Sequence, residues 1–316
     1  VLSMTELRYA YYPGCSLGSS AKEYDRSLRA VFDTLGVELV DIENWNCCGA
    51  TPAGQDELLA YSLAARNLAW AEERKLDVVA PCSECFKNLH KAAEALRADA
   101  DLRAEVNEII GGRGFHGKIG VKHPLEVVVR DVGLERVRGL VARPLSGLHV
   151  APYYGCLITR PRNPFDDPEN PTAMDELLEA LGAEVVDYFP YKARCCGGAL
   201  VLSAREIALG MTRDLILKAQ ARGADCLAIG CPMCGMMLDP YQEPALRGEE
   251  KPMPAFYFTQ LMGLALALDQ DQLGLDDLVV SPRPLLARTL DATAEAAAEK
   301  KPAGAKAARP KKWGEA

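Results

Sequence analysis

The sequence predicts an α/β protein built from two similar halves, each with a small parallel sheet flanked by helices. Two observations predict this fold. The same cysteine pattern occurs twice in the same order, and the offsets between matched cysteines are 141, 148 and 149 residues. Between the cysteines, segments with helical spacing of apolar residues alternate with short apolar runs, as expected when helices cover a parallel sheet. A repeat of this kind indicates duplication of one structural unit.

The first half begins its regular elements with a helix followed by a strand. The segment EYDRSLRAVFDTLG carries apolar residues at helical spacing, and Gly36 marks the end of the predicted helix. The strand-like VELVDI follows, then the long amphipathic helix DELLAYSLAARNLAWAEERK and the strand LDVVA. The last strand is apolar throughout, as central parallel strands are.

The second half repeats this order. TAMDELLEALG predicts a helix that ends at Gly182, AEVVDY a strand, SAREIALGMTRDLILKAQARG a long helix, and DCLAIG a buried strand. Cys226 has no counterpart in the repeat and is expected to be a buried free thiol in that last strand. Each half is therefore predicted to be a Rossmann-like α/β unit, and the two units to be pseudo-symmetric.

The repeat divides the chain into four predicted regions. Residues 1–100 form the first half, 101–148 a helical connector, and 149–291 the second half. Residues 292–316 form a basic tail rich in Ala, Lys and Pro, which is expected to be disordered because it has too few apolar groups to fold. The Gly-rich GGRGFHGKIG in the connector lacks the spacing of a nucleotide-binding loop and is interpreted as a surface loop.

Composition and charge exclude several classes of function. The formal net charge is −8, which argues against nucleic acid as the main partner. The longest apolar run, near Leu261 to Leu268, is too short for a membrane span, which needs roughly 20 residues. We expect a cytoplasmic protein, associated with a membrane only through partner subunits. Eleven cysteines in a reducing compartment indicate metal ligation rather than structural disulfides.

Ten of the eleven cysteines form two sets of five, each in the order Cys, Cys-Cys-Gly, Cys-x-x-Cys. The first set is Cys15, Cys47, Cys48, Cys82 and Cys85, and the second set is Cys156, Cys195, Cys196, Cys231 and Cys234. A structural zinc uses four ligands, and adjacent cysteines hold one tetrahedral ion only with strain. Dense thiolates select iron–sulfur chemistry, copper(I) or zinc, and an iron–sulfur cluster other than a plain cubane matches five donors best.

This double pattern, with PYYGC and FDDPENP beside the second set, resembles the CCG cysteine-rich domain family and in particular the B subunit of heterodisulfide reductase. The resemblance extends from about Arg8 to Leu264, and no motif cysteine is missing. It implies that each set binds one noncubane [4Fe-4S] cluster through all five of its cysteines. A disulfide substrate would then lie between the two clusters.

The resemblance implies reductive cleavage of a disulfide, such as the coenzyme M–coenzyme B heterodisulfide, or the reverse reaction. The expected substrate is a small disulfide or thiol, or protein-bound sulfur. One alternative is a CCG-domain subunit of a bacterial heterodisulfide-reductase-like sulfur-oxidising complex or of a succinate/quinone oxidoreductase complex, handling protein-bound sulfur or passing electrons to quinone. A second alternative is an electron-transfer module without chemistry of its own. The chain has no flavin or nicotinamide motif, so electrons are expected to come from another subunit. The resemblance implies that this partner is a ferredoxin-like iron–sulfur C subunit, with a flavin-containing A subunit beyond it.

A few residues outside the cluster ligands are candidates for a role in the reaction. His123, in VKHPLEVV, is a candidate proton donor to a leaving thiolate. Together with two of the cluster ligands, Cys48 and Cys196, it completes the predicted catalytic residues. Cations beside the motif cysteines could meet an anionic substrate or compensate the charge of a cluster, namely Arg160, Lys192 and Arg194. The tyrosine pairs before Cys15 and Cys156 are expected to pack around the clusters.

Overall fold

The computed structural model describes residues 7–112, 114–160, 165–248 and 250–291. The predicted basic tail, 292–316, lies outside these described residues. No helix in these ranges combines the length and the apolar character needed to cross a membrane.

The first half runs from strand β1 to strand β4, with its helices between the strands. In chain order its elements are β1 (Leu7–Tyr11), α1 (Gly14–Leu17), α2 (Lys22–Thr34), β2 (Val37–Asp41), α3 (Glu57–Glu73), β3 (Val78–Val79), α4 (Ser83–Ala98), α5 (Ala100–Ile110) and β4 (Val121–Lys122). A helical segment follows, formed by α6 (Pro124–Glu126), a π-helical stretch (Val127–Gly133) and α7 (Leu134–Leu140).

The second half repeats the same order and then continues into additional helices. Its elements are β5 (His149–Tyr153), α8 (Ala173–Ala180), β6 (Glu184–Val185), α9 (Arg205–Gln220), β7 (Cys226–Ile229), α10 (Pro232–Leu238), α11 (Gln242–Leu246), β8 (Ala255–Tyr257), α12 (Phe258–Ala265), α13 (Gln270–Leu273) and α14 (Arg283–Leu286). Cys226 is fully buried in β7, where the sequence predicts a buried thiol.

Both sheets are four-stranded, and every pairing in them is parallel. The strand orders are β2-β1-β3-β4 and β6-β5-β7-β8, so the two halves share one topology. The prediction of an α/β protein with two pseudo-symmetric halves and two parallel sheets is therefore confirmed. In both sheets the loops after the two central strands leave from the same edge, and this edge carries the cysteines.

Local sequence explains where the helices begin and end. Asp56 is the N-cap of α3, and its carboxylate accepts a hydrogen bond from the Leu59 N–H at 2.9 Å. Gly36 and Gly182 follow α2 and α8 with φ of +68° and +84°, a left-handed conformation that glycine adopts at low cost. The two predicted helix stops are thus found at equivalent positions of the repeat.

The region predicted as a connector contributes to the first sheet as well as linking the halves. Residues 101–148 contain most of α5 together with α6 and α7, and they also contain β4, which pairs with β3. β4 is the counterpart of β8 in the second sheet. The sequence pattern around Val121 is too short to predict a strand, because two residues carry no measurable periodicity.

The two halves pack against each other through the helices that follow their fourth strands. α12 lies on α2 of the first half, and α6 lies on α8 of the second. The contact between α12 and α2 includes a buried hydrogen bond of 2.7 Å between the hydroxyls of Ser27 and Thr259. Tyr24 and Tyr257 stack beside it with ring centroids 4.1 Å apart. Burial of these groups gives the molecule one continuous core rather than two.

The Cys-Cys-Gly turns require glycine, and this generates a test of the fold. Gly197 has φ of +91°, and a Cβ added there would lie 2.9 Å from backbone atoms of Ala208. We expect Gly197→Ala to lower the free energy of unfolding by at least about 2 kcal/mol, because it adds both backbone strain and a clash. The measurement is denaturant unfolding of the reduced, metal-free protein.

Gly210 is the matched control, since it lies in the same helix as Ala208 and a Cβ added to it would have no atom within 4 Å. Gly210→Ala should leave stability unchanged or raise it by up to about 1 kcal/mol. Equal unfolding curves for the two variants would show that the turn tolerates a side chain.

Candidate functional site

The first cysteine set gathers at the carboxyl edge of the first sheet. Cys15 lies in α1, the adjacent pair follows β2, and the Cys-x-x-Cys pair begins α4, with Cys82 as its N-cap. The Cys85 thiol contacts the thiols of Cys48 and Cys82. The Tyr12 side chain lies near this group, within electrostatic range of the thiols of Cys15, Cys47, Cys48 and Cys85.

The second set repeats the arrangement at the edge of the second sheet. Its thiols form one continuous chain of contacts, in the order Cys156, Cys195, Cys196, Cys234 and Cys231. Tyr153 occupies the place that Tyr12 has in the first half, and it lies within electrostatic range of four of these thiols. The structure therefore brings each predicted set together around a buried tyrosine.

Glycines allow the backbone before the first cysteine of each set to approach the sulfur of the last cysteine. Gly14 and Gly155 have φ of +65° and +71°, and a Cβ at either position would lie 2.9 or 3.1 Å from the sulfur of Cys85 or Cys234. Any side chain there would press on that sulfur. The glycine before the first cysteine is thus part of the site in both halves.

The hydroxyls of the equivalent tyrosines hold the adjacent cysteine pairs in place. Tyr12 donates a hydrogen bond of 2.7 Å to the carbonyl of Asn46, and Tyr153 donates one of 2.6 Å to the carbonyl of Arg194. Asn46 and Arg194 directly precede Cys47 and Cys195. The two tyrosines therefore do more than pack around the sites, because each also hydrogen-bonds to the residue before the adjacent cysteines. Their equal spacing from Cys15 and Cys156 is the sequence signal for this shared role.

Several N–H groups point at the sulfurs and stabilise negative charge on them. The Asn88 amide lies 3.7 Å from the Cys48 sulfur, and the backbone N–H groups of Gly197 and Gly198 lie 3.4 Å from the sulfurs of Cys195 and Cys196. Contact with Cys85, helped by Asn88, lowers the pKa of Cys48 to about 6.

The same contact raises the pKa of Cys85, so one proton is shared within this pair of thiols. In the second set, contact with Cys234 and N–H groups of α10 lower the pKa of Cys231 to about 6 in spite of full burial. Both sets therefore contain thiols that ionise readily to thiolates, and the thiolate is the form that binds metals.

The donor set fits an iron–sulfur cluster by its chemistry. All eleven cysteines are free thiols, and each set offers five sulfur donors. Within the described residues, no three His, Cys, Asp or Glu side chains are arranged to hold a single metal ion. The fit of each set to a cluster therefore rests on the number and kind of its donors.

A cavity of about 490 Å³ lies between the halves and is lined by both of them. All five cysteines of the second set contribute to its wall, together with Tyr154, Leu157, Gly198, Ala199 and Met233. The first half contributes Ala50, Thr51, Cys82, Ser83 and Glu84. A larger cavity of about 710 Å³ beside Arg288 is lined by no cysteine of the described chain, so chemistry rather than size identifies the site.

Ser83 is a residue of this cavity that the sequence does not single out. Its side chain is buried, and its hydroxyl has no hydrogen bond of normal geometry within the described part of the chain. The hydroxyl lies against the thiol of Cys231 in the other half. The repeat places Pro232 at the equivalent position, and this difference between CSEC and CPMC is the sequence signal that could have marked it.

His123 does not line the cavity described above. Its ring is fully buried, and both of its nitrogens have partners, with Nδ1 accepting from the Leu125 N–H at 3.2 Å. Burial lowers its pKa to about 4, so the ring is neutral near pH 7. This position does not favour the sequence-based prediction that His123 protonates a leaving thiolate.

The three cations beside the motif cysteines contact side chains outside the cavity. Lys192 pairs with Asp175 at 3.3 Å, and the Arg194 guanidinium lies 4.6 Å from the ring centroid of Tyr191. Arg160 forms an ion pair with Glu169 on the surface. None of these three cations lines the cavity, so the structure gives no support to their predicted contact with an anionic substrate.

Comparison with known proteins finds the same two cysteine-rich units that the structure shows. The family profile of the cysteine-rich CCG domain matches residues 9–90 and 150–239, one match in each half. The chain is 37% identical over 284 residues to the 8-methylmenaquinol:fumarate reductase membrane anchor subunit of Wolinella succinogenes, covering 88% of this chain and 98% of that protein. It is 31% identical to a protein of Archaeoglobus profundus named as similar to the B subunit of heterodisulfide reductase, covering 88% and 96%.

A further relative is the B subunit of the ferredoxin:CoB-CoM heterodisulfide reductase of Methanosarcina mazei, at 30% identity over 91% of this chain and 98% of that protein. Among solved structures, a hypothetical protein from Helicobacter pylori has the same fold, with a TM-score of 0.67 at 14% identity, covering 88% of this chain and 52% of that one. On its two domain matches and its similarity to these relatives, the chain belongs to the CCG cysteine-rich domain family that includes the B subunit of heterodisulfide reductase.

Proposed function

We propose that the chain is an iron–sulfur subunit of an oxidoreductase complex, in which a disulfide is cleaved, or formed in reverse, between two clusters. The observation that carries this proposal is the cavity of about 490 Å³ shared by the two cysteine sets. Cys82 reaches its wall from the first half, and all five cysteines of the second set reach it from the other. A sulfur substrate held there would lie next to both sites.

In this proposal each set of five thiolates holds one [4Fe-4S] cluster of the noncubane type. The ligands are Cys15, Cys47, Cys48, Cys82 and Cys85 for the first, and Cys156, Cys195, Cys196, Cys231 and Cys234 for the second. When bound, the two clusters supply one electron each, which matches the two electrons that cleavage of a disulfide consumes. Five thiolates exceed the four that a cubane uses, which supports the noncubane type.

Cys48 and Cys196 are the proposed catalytic thiolates of the two sets. Cys196 lines the cavity, whereas Cys48 is connected to the lining residue Cys82 through the thiol of Cys85. Cys48 and Cys196 are 4% and 3% exposed and belong to the interior of the site, whereas their neighbours Cys47 and Cys195 are more exposed. Their sulfurs receive hydrogen bonds from Asn88 and from the Gly198 N–H, which stabilise the anionic form.

The wall of the cavity supports the reaction in two ways. Leu157, Ala199 and Met233 give the wall an apolar surface against which a sulfur substrate can pack, and Met233 is 41% exposed. The Ser83 hydroxyl is a buried donor without a regular partner among the described residues, and it could donate to a released sulfur. Ser83 therefore takes the place at the cavity that the sequence led us to expect for His123.

Partner proteins complete the proposal. The members of this family named above are subunits of larger complexes, and the sequence contains no flavin or nicotinamide motif. Electrons would pass through a ferredoxin-like iron–sulfur C subunit, and beyond it through a flavin-containing A subunit. The chain would work in the cytoplasm, or at a membrane surface through those partners.

Membership of a quinone-linked complex is the second candidate function. One observation in its favour is the relative of 37% identity, which is named a subunit of an 8-methylmenaquinol:fumarate reductase. Another is the charge at the cavity, where the described lining includes no Lys or Arg and the carboxylate of Glu84 is paired with Lys87 at 2.6 Å. An anionic disulfide such as that of coenzyme M and coenzyme B is best held by cations, whereas a neutral quinone does not need them.

Iron content and spectroscopy test the proposed function. After anaerobic purification we expect about eight irons and about eight acid-labile sulfides per chain, as two four-iron clusters require. A candidate disulfide should change the electron paramagnetic resonance (EPR) spectrum of the reduced protein. A response to a quinone analogue and none to disulfides would favour the second candidate, and zinc in place of iron would contradict both.

Single cysteine variants test the assignment of the ligand sets. Cys48→Ser should alter the EPR signal of one cluster, and Cys196→Ser the signal of the other, because the two cysteines belong to separate sets. Cys226→Ser is the control, since this thiol is buried in β7 and belongs to neither set. Simultaneous loss of both signals in either single variant would mean that the sets are wrongly divided.

A further inference from the structure

His123 lies where the two halves meet, between the two Cys-x-x-Cys motifs. Its Nε2 atom is 3.0 Å from the carbonyl oxygen of Gly230 and 3.2 Å from that of Pro81. Gly230 directly precedes Cys231, and Pro81 directly precedes Cys82. One nitrogen atom therefore contacts the residue before the first cysteine of both motifs, one in each half.

The hydrogen bonds of the ring determine which nitrogen carries the proton. Nδ1 accepts from the Leu125 N–H at 3.2 Å, so in the neutral ring the proton lies on Nε2. That single N–H is shared between two carbonyl oxygens. Without this donor the Pro81 carbonyl would lose its contact with the ring, the Gly230 carbonyl would keep only the Tyr24 hydroxyl at 3.4 Å among the described residues, and the two carbonyl dipoles would repel each other.

The surroundings pack closely against both the ring and the residue that bears the second carbonyl. The ring is fully buried and lies 5.9 Å from the ring centroid of Phe86 and 6.3 Å from that of Phe258. At Gly230 an added Cβ would lie 2.9 Å from Ile158 Cδ1 and 3.3 Å from His123 Cε1. A side chain at this position would therefore press on Ile158 and on the His123 ring, so glycine suits the close approach of this backbone to the ring.

The repeat explains why one histidine serves both motifs. His123 is the N-cap of α6 and Tyr257 is the N-cap of α12, and both helices directly follow the fourth strand of their sheets. The equivalent positions thus hold a histidine in the first half and a tyrosine in the second. Tyr257 stacks on Tyr24, whose hydroxyl lies 3.4 Å from the same Gly230 carbonyl.

We propose that His123 is a positioning residue that fixes the distance and orientation of the two metal sites relative to each other. This inference rests on the proposed function, since it assumes a cluster at each cysteine set. Its Nε2–H binds the first Cys-x-x-Cys motif to the second, and thereby holds the two clusters at the separation that a shared substrate requires. His123 does not contact the substrate or the reacting atoms.

Two substitutions separate this role from a general structural one. In His123→Asn, the side-chain oxygen can still accept from the Leu125 N–H and cap α6, but the shorter side chain no longer reaches the two carbonyls. In His123→Gln, the longer side chain places an amide N–H near the position of Nε2. The control is His90→Gln, which removes another ring that packs near Phe86, at 5.7 Å between ring centroids.

The measurement is the magnetic interaction between the two clusters in the EPR spectrum of the reduced holoprotein, with iron counted in each sample. We expect His123→Asn to keep about eight irons but to lose at least half of the line broadening that the clusters impose on each other. His123→Gln and His90→Gln should resemble the wild type. If His123→Asn loses iron, recovery of both iron and broadening in His123→Gln supports the proposal.

Other outcomes would overturn the inference. A His123→Asn spectrum identical to that of the wild type, at full iron content, would show that the shared hydrogen bond does not set the geometry of the two sites. A change confined to one cluster, with the interaction unaltered, would do the same. Four irons in the wild type would instead remove the proposed pair of clusters, and this inference with it.

Discussion

The site depends on one constraint, that the carboxyl ends of two parallel sheets face each other across a buried seam. A parallel sheet sends the loops after its strands to the same edge, so the cysteines that follow β1, β2 and β3 meet without further help. The same holds for β5, β6 and β7. Packing of α12 on α2 and of α6 on α8 then turns the two edges toward one cavity.

The backbone of each site approaches the cysteine sulfurs closely. Glycines with positive φ shape its turns. Gly14 and Gly155 let the backbone approach the sulfurs of Cys85 and Cys234, and the glycines after the adjacent pairs, Gly49 and Gly197, let that turn pack on the backbone of the following helix. Ionised thiolates repel one another, and N–H donors offset that repulsion only in part. Bound metal would neutralise the charge, which is why so many cysteines can be kept close and reduced in one place.

Duplication produced two similar sites, and later substitutions made them different. Ser83 corresponds to Pro232, Asn88 to Met237, and His123 to Tyr257. In each of these three pairs the first-half residue directs a polar group at a sulfur or at the contact between the halves. Pro232 and Met237 have no side-chain donor, and Tyr257 stacks on Tyr24 instead. Hydrogen bonds to sulfur and the exclusion of water both change the potential of a cluster, so the two sites are expected to differ in potential.

The sequence alone determined the fold class, the repeat and the division of ten cysteines into two sets, because these follow from periodicity and spacing along the chain. It did not determine β4, which is too short to have a pattern. Nor did it identify the roles of Tyr12, Tyr153, Ser83 and His123, because each depends on a contact with a residue distant in sequence. For His123 the local sequence indicated acid–base chemistry, and only burial between two carbonyls, decided by the packing of the halves, gave it another role.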